Sequence, residues 1–247
     1  MDAQLDEADP LGDRLDRYVA LTREERLALR ALTTERVCLR PGRTLVVEAR
    51  DSNHMFVLRS GWLHASTVLK GGARQILRIH QPGDLVNISC LAWSRVVATI
   101  TAVTDAEVWP FPRDRLTCIF ARHPRLAALL YGISTAENVA LCDRLKSLGR
   151  TDAEARLAAL LLELLSRQRV TSRHQGDTLE LFLTQSDIAD AVGLTKVHVN
   201  RVLKKMTGEG LIERSGRRVR IPDIGKLADL SGFIDRHAEV ATDWFPS

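Results

Sequence analysis

The sequence predicts an α+β fold in three parts: an amino-terminal β-domain, a long helix, and a carboxy-terminal winged helix-turn-helix. Three observations carry this. Between Val37 and Pro112, short β-rich runs alternate with Gly42, Gly61, Gly71-Gly72 and Gly83, and regular turn signals of that kind mark a small sandwich or barrel. After Pro124, apolar residues recur at Leu126, Leu129, Leu130, Ile133, Ala136 and Ala140, a stripe along several helical turns. From Leu183 to Glu213 the chain reads LTQSDIADAVGLTKVHVNRVLKKMTGEGLIE, two short helical patterns joined at a glycine.

Taken in order, residues 1–20 hold six acidic groups against Arg14 and Arg17 and show no sustained apolar period, so a flexible acidic arm is expected. Residues 21–112 form the β-domain. Thr22-Arg-Glu-Glu25 opens a short helix with a capping box, and Leu27, Leu29, Ala31 and Leu32 are its inner candidates. Strands are expected at Thr44–Val47, Met55–Leu58, Trp62–Leu69, Gln75–Ile79, Val96–Val103 and Ala106–Phe111, with Pro82-Gly83-Asp84 as a strong turn.

Residues 113–148 read as a short helix and a long one, separated at His123-Pro124 because proline cannot continue a helix. The long helix has little of its own chain to bury its stripe against. Pairing with the same helix of a second subunit would cover Leu126, Leu130, Ile133, Ala136 and Ala140 and give a two-fold dimer, while part of the circumference packs back on the β-domain. Ser147-Leu-Gly149 is the expected hinge. Residues 149–247 follow as a winged helix-turn-helix domain. Thr151 is expected to cap its first helix, with Glu154 completing a box and Leu157, Leu160, Leu161, Leu164 and Leu165 on the apolar side. A polar loop at Arg173–Asp177 and a short strand at Leu179–Leu183 come next. A closing helix holds Ile224, Leu227, Leu230, Phe233 and Ile234, and the last residues are expected to fray.

Within the helix-turn-helix, Thr184 can cap the first helix with Asp187 completing the box, and Ile188, Ala189 and Val192 share one face. Gly193 ends that helix and Leu194 plugs the corner. Thr195 caps the second helix, whose Val199, Val202, Leu203 and Met206 form a buried stripe. Lys196, His198, Asn200, Arg201, Lys204 and Lys205 lie outside that stripe. Arg and Asn pair bidentately with guanine and adenine edges, and lysines suit phosphates. From Lys196 to Arg220 eight Lys and Arg stand against two Glu, a local +6 in a chain of net +4, so the remainder carries −2. A solvated basic hairpin is the bland alternative. The agreement of caps, glycine, spacing and charge favours double-stranded DNA as the partner. Leu211–Arg214 and Arg217–Ile221, around Ser215-Gly216, read as a wing that carries Arg217, Arg218 and Arg220 near a sugar-phosphate backbone, unless one of them pairs with Glu213.

Composition narrows the class. An apolar fraction of 45% and a charged fraction of 27% are those of a soluble globular protein, and no apolar run is long enough to span a bilayer. The acidic start lacks the basic and apolar regions of a signal peptide, so a cytoplasmic location is expected. Cys38, Cys90, Cys118 and Cys142 form no C-x-x-C pair, which argues against a disulfide scaffold or compact metal site. No metal or other cofactor is expected.

With these elements in this order, the chain resembles the Crp/Fnr superfamily of bacterial transcription regulators over nearly its whole length. Residues 184–203 follow the family's T-x-x-[DE]-[IL]-A-x-x-[LV]-G-[LC]-[TS]-x-x-x-[VT]-x-R-x-L pattern. Pro82-Gly83-Asp84 and the glycines resemble the cyclic-nucleotide-binding β-roll that serves as the family's sensor domain. The resemblance implies Lys196, Val197, Asn200 and Arg201 as base-facing residues, with Arg201 in the place of a guanine-reading arginine. Val197 falls where many members carry a cytosine-reading glutamate. A valine cannot accept that hydrogen bond, so the half-site differs there or is read through His198, Asn200 or a thymine methyl. Thr184, Gln185 and Thr195 match positions that touch phosphate. Contact with RNA polymerase is also implied.

The sensor departs from the family pattern. Cyclic-AMP binders in this superfamily carry G-E-L shortly after P-G-D and R-S further on, where this chain has Asn87-Ile88-Ser89 and Val96-Val97. Ile88 replaces the ribose-binding carboxylate and Val96 the phosphate-binding arginine. Arg95 is one residue away, which in a strand is the opposite face. Control by cyclic AMP is therefore not expected; an unidentified small-molecule effector, or control by abundance, remains. The oxygen-sensing branch uses amino-terminal cysteines, and none precedes Cys38. His54, His64 and His80 fall on separate strands and read as exposed or satisfied rather than as ligands. Cys90 and Cys142 could report oxidation, though a buried, inert state is expected of each.

The expected function is a homodimeric, sequence-specific regulator, activator or repressor, on a palindromic promoter site, with any input shifting the two recognition helices. The alternatives are a cyclic-nucleotide-responsive regulator with a divergent pocket, a cupin-like β-barrel enzyme, and a ligand-binding subunit acting on a protein partner. The enzyme would need converging histidines, and no H-x-H pairing is present. The subunit would not need Arg201, Lys204 and Lys205 on an exposed helix.

Overall fold

A computed structural model describes residues 9–33, 35–171, 176–238 and 240–246, so the first eight residues of the expected arm and most of the polar loop before residue 176 lie outside the described residues. The chain divides into two compact units: Met1–Thr67 with Arg78–Tyr131 and Ala241–Ser247, and Val68–Leu77 with Gly132–Val240.

Eight short strands precede the helices that follow residue 115: β1 (Val37–Leu39), β2 (Thr44–Val46), β3 (His54–Ser60), β4 (Leu63–Val68), β5 (Arg74–His80), β6 (Leu85–Val86), β7 (Thr99–Ala102) and β8 (Ala106–Pro112). They form two four-stranded sheets, ordered β1-β8-β3-β6 and β2-β7-β4-β5. Phe56, Leu58, Leu63, Ala65, Ile100, Ala102, Ala106 and Val108 make the core. Of the expected strands, Val96–Val103 is strand only from Thr99, and the segment before it runs beside residues 49–52 through isolated backbone bonds.

The described part of the expected arm is a helix, which corrects that expectation. In α1 (Pro10–Asp16), Asp9 accepts from the Gly12 amide at 2.9 Å, and Leu11 and Leu15 are buried. Arg14 reaches the P-G-D turn, its Nη1 2.5 Å from Asp84 Oδ1, with both side chains nearly inaccessible. The turn admits the helix closely: a Cβ on Gly83, whose φ is +86°, would stand 2.6 Å from the Pro10 carbonyl oxygen. In α2 (Arg23–Arg30) the Thr22–Glu25 capping box forms as expected. Its inner face is corrected, however: Glu25, Leu29 and Leu32 are buried, whereas Leu27 and Ala31 are exposed. Glu25 turns inward because Arg125 Nη1 meets it at 2.8 Å.

After α3 (Leu116–Arg122), α4 runs unbroken from Pro124 to Arg150. At about 1.5 Å per residue it is roughly 40 Å long. The hinge expected at Ser147–Gly149 is therefore inside the helix. A glycine near a helix end costs only about 1 kcal/mol, less than the contacts of a continuing helix supply. The break falls at Thr151-Asp152, and Asp152, not Thr151, caps α5 (Ala153–Thr171) by accepting from the Ala155 amide at 2.9 Å. The Thr151 hydroxyl donates back to Ser147 O at 2.8 Å.

The second unit centres on α5, whose Leu157, Leu160, Leu161, Leu164 and Leu165 are buried as expected, and which packs against α6 (Gln185–Val192), α7 (Lys196–Gly208) and α8 (Ile224–Ser231). A small sheet ordered β10-β11-β9 joins β9 (Thr178–Glu180), β10 (Glu213–Ser215) and β11 (Arg218–Arg220). β9 is shorter and earlier than the expected Leu179–Leu183. Gly232, at φ +63°, closes α8, so Phe233 and Ile234 lie beyond it, and Leu230 and Ile234 are exposed.

Candidate nucleic-acid interface

The helix-turn-helix forms as its sequence dictates. Thr184 is extended at φ −71°, ψ 163°; its hydroxyl accepts from the Asp187 amide while Asp187 accepts from the Thr184 amide, a complete capping box. Such a cap is worth about 1 kcal/mol. Gly193 adopts φ +66° and ends α6, as a left-handed C-cap requires. Thr195 then caps α7, accepting from the His198 amide at 3.2 Å. Val199, Val202, Leu203 and Met206 are buried beneath α7.

That packing fixes which side chains α7 presents outward. Lys196, Val197, Arg201 and Lys204 are exposed, and His198 and Asn200 half-buried. Val197 is 80% exposed, an apolar side chain that the fold does not use. None of the side chains of Lys196, Arg201 and Lys204 has a hydrogen bond or ion pair among the described residues. Lys205 differs from the expectation for it: its ammonium is held by Glu154 on α5, with Glu209 Oε1 at 3.8 Å, so it ties α7 to its brace. The Glu154 bond holds the Lys205 ammonium above its ordinary pKa. Glu154 is thus a partner of α7, not the box residue that the sequence suggested.

Around α7, Thr184 is exposed and Gln185 half-buried at the start of α6. The wing turns at Ser215-Gly216-Arg217, with β10 and β11 in antiparallel register. Arg217 lies over the Phe182 ring at 5.5 Å, and Arg218 stands 3.9 Å from Glu180. Arg220 is the wing arginine that pairs internally, with Asp177 at 2.9 Å and Glu213 at 3.2 Å. Outward cations that remain uncommitted, beside two helix starts with free amides, can attract phosphates and reach base edges.

Sequence reasoning missed one contact here. Arg74, on β5, donates from Nε to Asp190 Oδ2 and from Nη2 to Asp187 Oδ1, each at 2.6 Å. Burial raises the Asp187 carboxyl, but its bonds from Thr184 and Arg74 outweigh that and leave it below its ordinary pKa. No local pattern could reveal an arginine 116 residues from its partner.

The residues of the expected effector pocket make hydrogen bonds within the protein. Asn87, at φ +60°, is buried and donates to the His54 carbonyl at 2.9 Å; Ser89 donates to Asn87 Oδ1 at 3.4 Å. Ile88 begins a single 3-10 turn to Leu91, and Arg113 holds it by donating to Cys90 O at 2.5 Å. Val96 is buried and Val97 exposed, so Arg95, 76% exposed beside Asp51, points away from Val96. Cys90 is buried, and that burial pushes its thiol pKa up. Cys142 is exposed, contrary to expectation. His54 is exposed and His64 and His80 are buried; no cluster of metal-binding type exists among the described residues.

The expected dimer stripe is partly covered by the subunit itself. Leu126 and Ile133 are buried within the subunit itself, and Leu130, Ala136 and Ala140 are half-buried. The exposed face of α4 carries Tyr131, Thr135, Asn138, Cys142 and Leu145 instead, at alternating spacings of four and three.

Comparison with known proteins agrees with this geometry. Residues 155–230 match the Crp-like helix-turn-helix domain family, and residues 36–123 the cyclic nucleotide-binding domain family. The anaerobic regulatory protein of Haemophilus influenzae is 28% identical over 189 residues, 76% of this chain and 73% of that protein. The fumarate and nitrate reduction regulatory protein of Escherichia coli K12 is 25% identical over 194 residues, 78% of this chain and 77% of that one. The solved structure of FixK2 from Bradyrhizobium japonicum superposes with a TM-score of 0.70 at 24% identity, covering 79% of this chain and 96% of its own. With its nucleotide-binding-like β-domain, its long α4 and its winged reader, the chain belongs to the Crp/Fnr family of DNA-binding transcription regulators and is not an enzyme.

Proposed function

We propose that the protein works as a cytoplasmic homodimer on a two-fold-symmetric promoter site, with one α7 in each of two major grooves about 34 Å apart. The outer face of α7 carries this reading. In it, Arg201 is the guanine reader, Asn200 and His198 flank it, and Val197 meets a thymine methyl where a glutamate would have met cytosine. Lys196 and Lys204 take phosphates, together with Thr184, Gln185 and Thr195 at the helix starts and Arg217 and Arg218 on the wing. RNA polymerase is the partner in transcription.

The dimer seam follows the exposed face of α4. Tyr131, Thr135, Asn138, Cys142 and Leu145 keep the heptad alternation that a two-stranded coil needs, and all five are exposed. The input is a ligand other than cyclic AMP, or abundance alone. Both the missing arginine and the self-bonded loop from Asn87 to Cys90 support this.

The test is selection of genomic fragments by the purified, reduced protein at one fixed salt concentration with no ligand added. Enrichment of a palindrome with half-sites one helical turn apart supports the dimeric reader. Uniform, salt-sensitive retention of all fragments would sink sequence-specific binding by the free protein.

A further inference from the structure

The tip of the β4–β5 hairpin, residues 68–77, belongs to the second compact unit. Two arginines bond within that unit here. Arg74 bridges Asp187 and Asp190, one helical turn apart on α6. Arg144, on α4, donates to the carbonyls of Leu77 at 2.9 Å, Ile76 at 3.1 Å and Ala191 at 3.0 Å. Hairpin backbone is thereby joined to the last turn of α6, while Arg74 spans from Asp187 in the first turn to Asp190. The helix that supports α7 is gripped at both ends by groups from outside the helix-turn-helix.

We propose that Arg74 is a positioning residue for DNA binding, holding α6 and cancelling two carboxylates that would otherwise face the DNA backbone. The proposal rests on the reading of α6 and α7 as the DNA interface. Its physical basis is charge. Thr184 and Gln185 stand where phosphates are to be received, and Asp187 and Asp190 lie within the next two turns of the same helix. The Asp187 side chain is 13% exposed and that of Asp190 27%, so neither is fully screened by water. Asp187 already serves the cap through Oδ2, which leaves Oδ1 for the guanidinium. A planar fork suits this task because one side chain satisfies two carboxylates with fixed geometry; a lysine would supply the charge without the second directed bond. With its guanidinium about a third exposed, this bridge is partly solvated and by itself contributes little to stability, so the effect should appear in DNA affinity more than in unfolding.

The opposite sign is physically open. A contact that held α6 in an arrangement unable to bind DNA would raise affinity when removed. The two cases separate cleanly. Affinities of the full chain for its selected site and for a random duplex are measured over a salt series, for the parent protein, Arg74→Ala, Arg74→Lys, Asp190→Asn and the double variant Arg74→Ala with Asp190→Asn. Arg74→Ala should weaken binding to the selected site by about ten-fold, the change that corresponds to about 1.4 kcal/mol. Arg74→Lys should recover part of that loss. Asp190→Asn placed in the Arg74→Ala background should recover several-fold, because it removes one uncancelled carboxylate. Circular dichroism of each variant checks that the helices are retained; if Arg74→Ala loses them, Arg74→Lys and the double variant decide. Unchanged or tighter binding by Arg74→Ala, or no recovery in the double variant, overturns the proposal. A parent protein that selects no site overturns the underlying reading along with it.

Discussion

The outer face of α7 and the loop from Asn87 to Val97 are the two places where this family's chemistry is expected, and they treat their polar groups in opposite ways. On α7, Lys196, Arg201 and Lys204 are exposed and uncommitted among the described residues. In the loop, Asn87 is bonded to the His54 carbonyl, Ser89 to Asn87, and Arg113 to the Cys90 carbonyl. A binding surface must keep donors that no neighbour satisfies, because bonds already made inside the protein must be broken before a ligand can replace them. The outer face of α7 therefore stays available, while the polar groups of the loop are bonded within the protein.

The largest effect should come from the self-satisfied side. Arg14→Ala leaves Asp84 without its nearly inaccessible partner at 2.5 Å, and breaking a buried pair in this way costs about 3–5 kcal/mol. Urea unfolding should register the loss; a change under about 1 kcal/mol would show that α1 does not hold the P-G-D turn. Next comes Arg201→Ala, expected to weaken specific DNA binding by about 1–3 kcal/mol and relax preference at one base pair, with unfolding within about 0.5 kcal/mol of the parent. Equal loss of stability would mean that Arg201 belongs to the fold. A finer contrast lies within α7. Lys204→Ala should lower the slope of log affinity against log salt by about 1, and Lys205→Ala by less, since Glu154 already engages that ammonium. If the two slopes fell alike, the Glu154 tie would not outlast contact with DNA. The smallest expected effect is none: calorimetric titration with cyclic AMP should give no saturable micromolar heat, and its appearance would erase the contrast between the two sites.

Legibility followed sequence distance. Both helix caps and the buried stripe of α7 were readable because each depends on residues three or four apart. The cap of α5 was misread by one position: Thr151 and Asp152 are adjacent candidates, and the T-x-x-E spacing favoured the wrong one. In α4 the apolar stripe was real, but periodicity cannot say whether a face is covered by the same subunit or another, and Leu126 and Ile133 turned out to be internal. The seven-residue α1 lay below any periodic signal, with Leu11 and Leu15 its only buried apolar side chains, beside a buried Arg14. Arg74 was invisible for a different reason, since its partners are over a hundred residues away and only the folded chain brings them together.

Gly83 shows how such long-range contacts constrain substitution. Its φ of +86° already favours glycine, and the 2.6 Å approach to the Pro10 carbonyl adds a steric demand from another part of the chain. Removing α1 would lift the second demand and leave the first, so alanine at this position should be tolerated somewhat better in a chain that starts after the helix. Mutational drift at the P-G-D turn is thus coupled to the amino-terminal residues. Grafting this β-domain onto another protein without them would carry over a glycine with half of its reason missing.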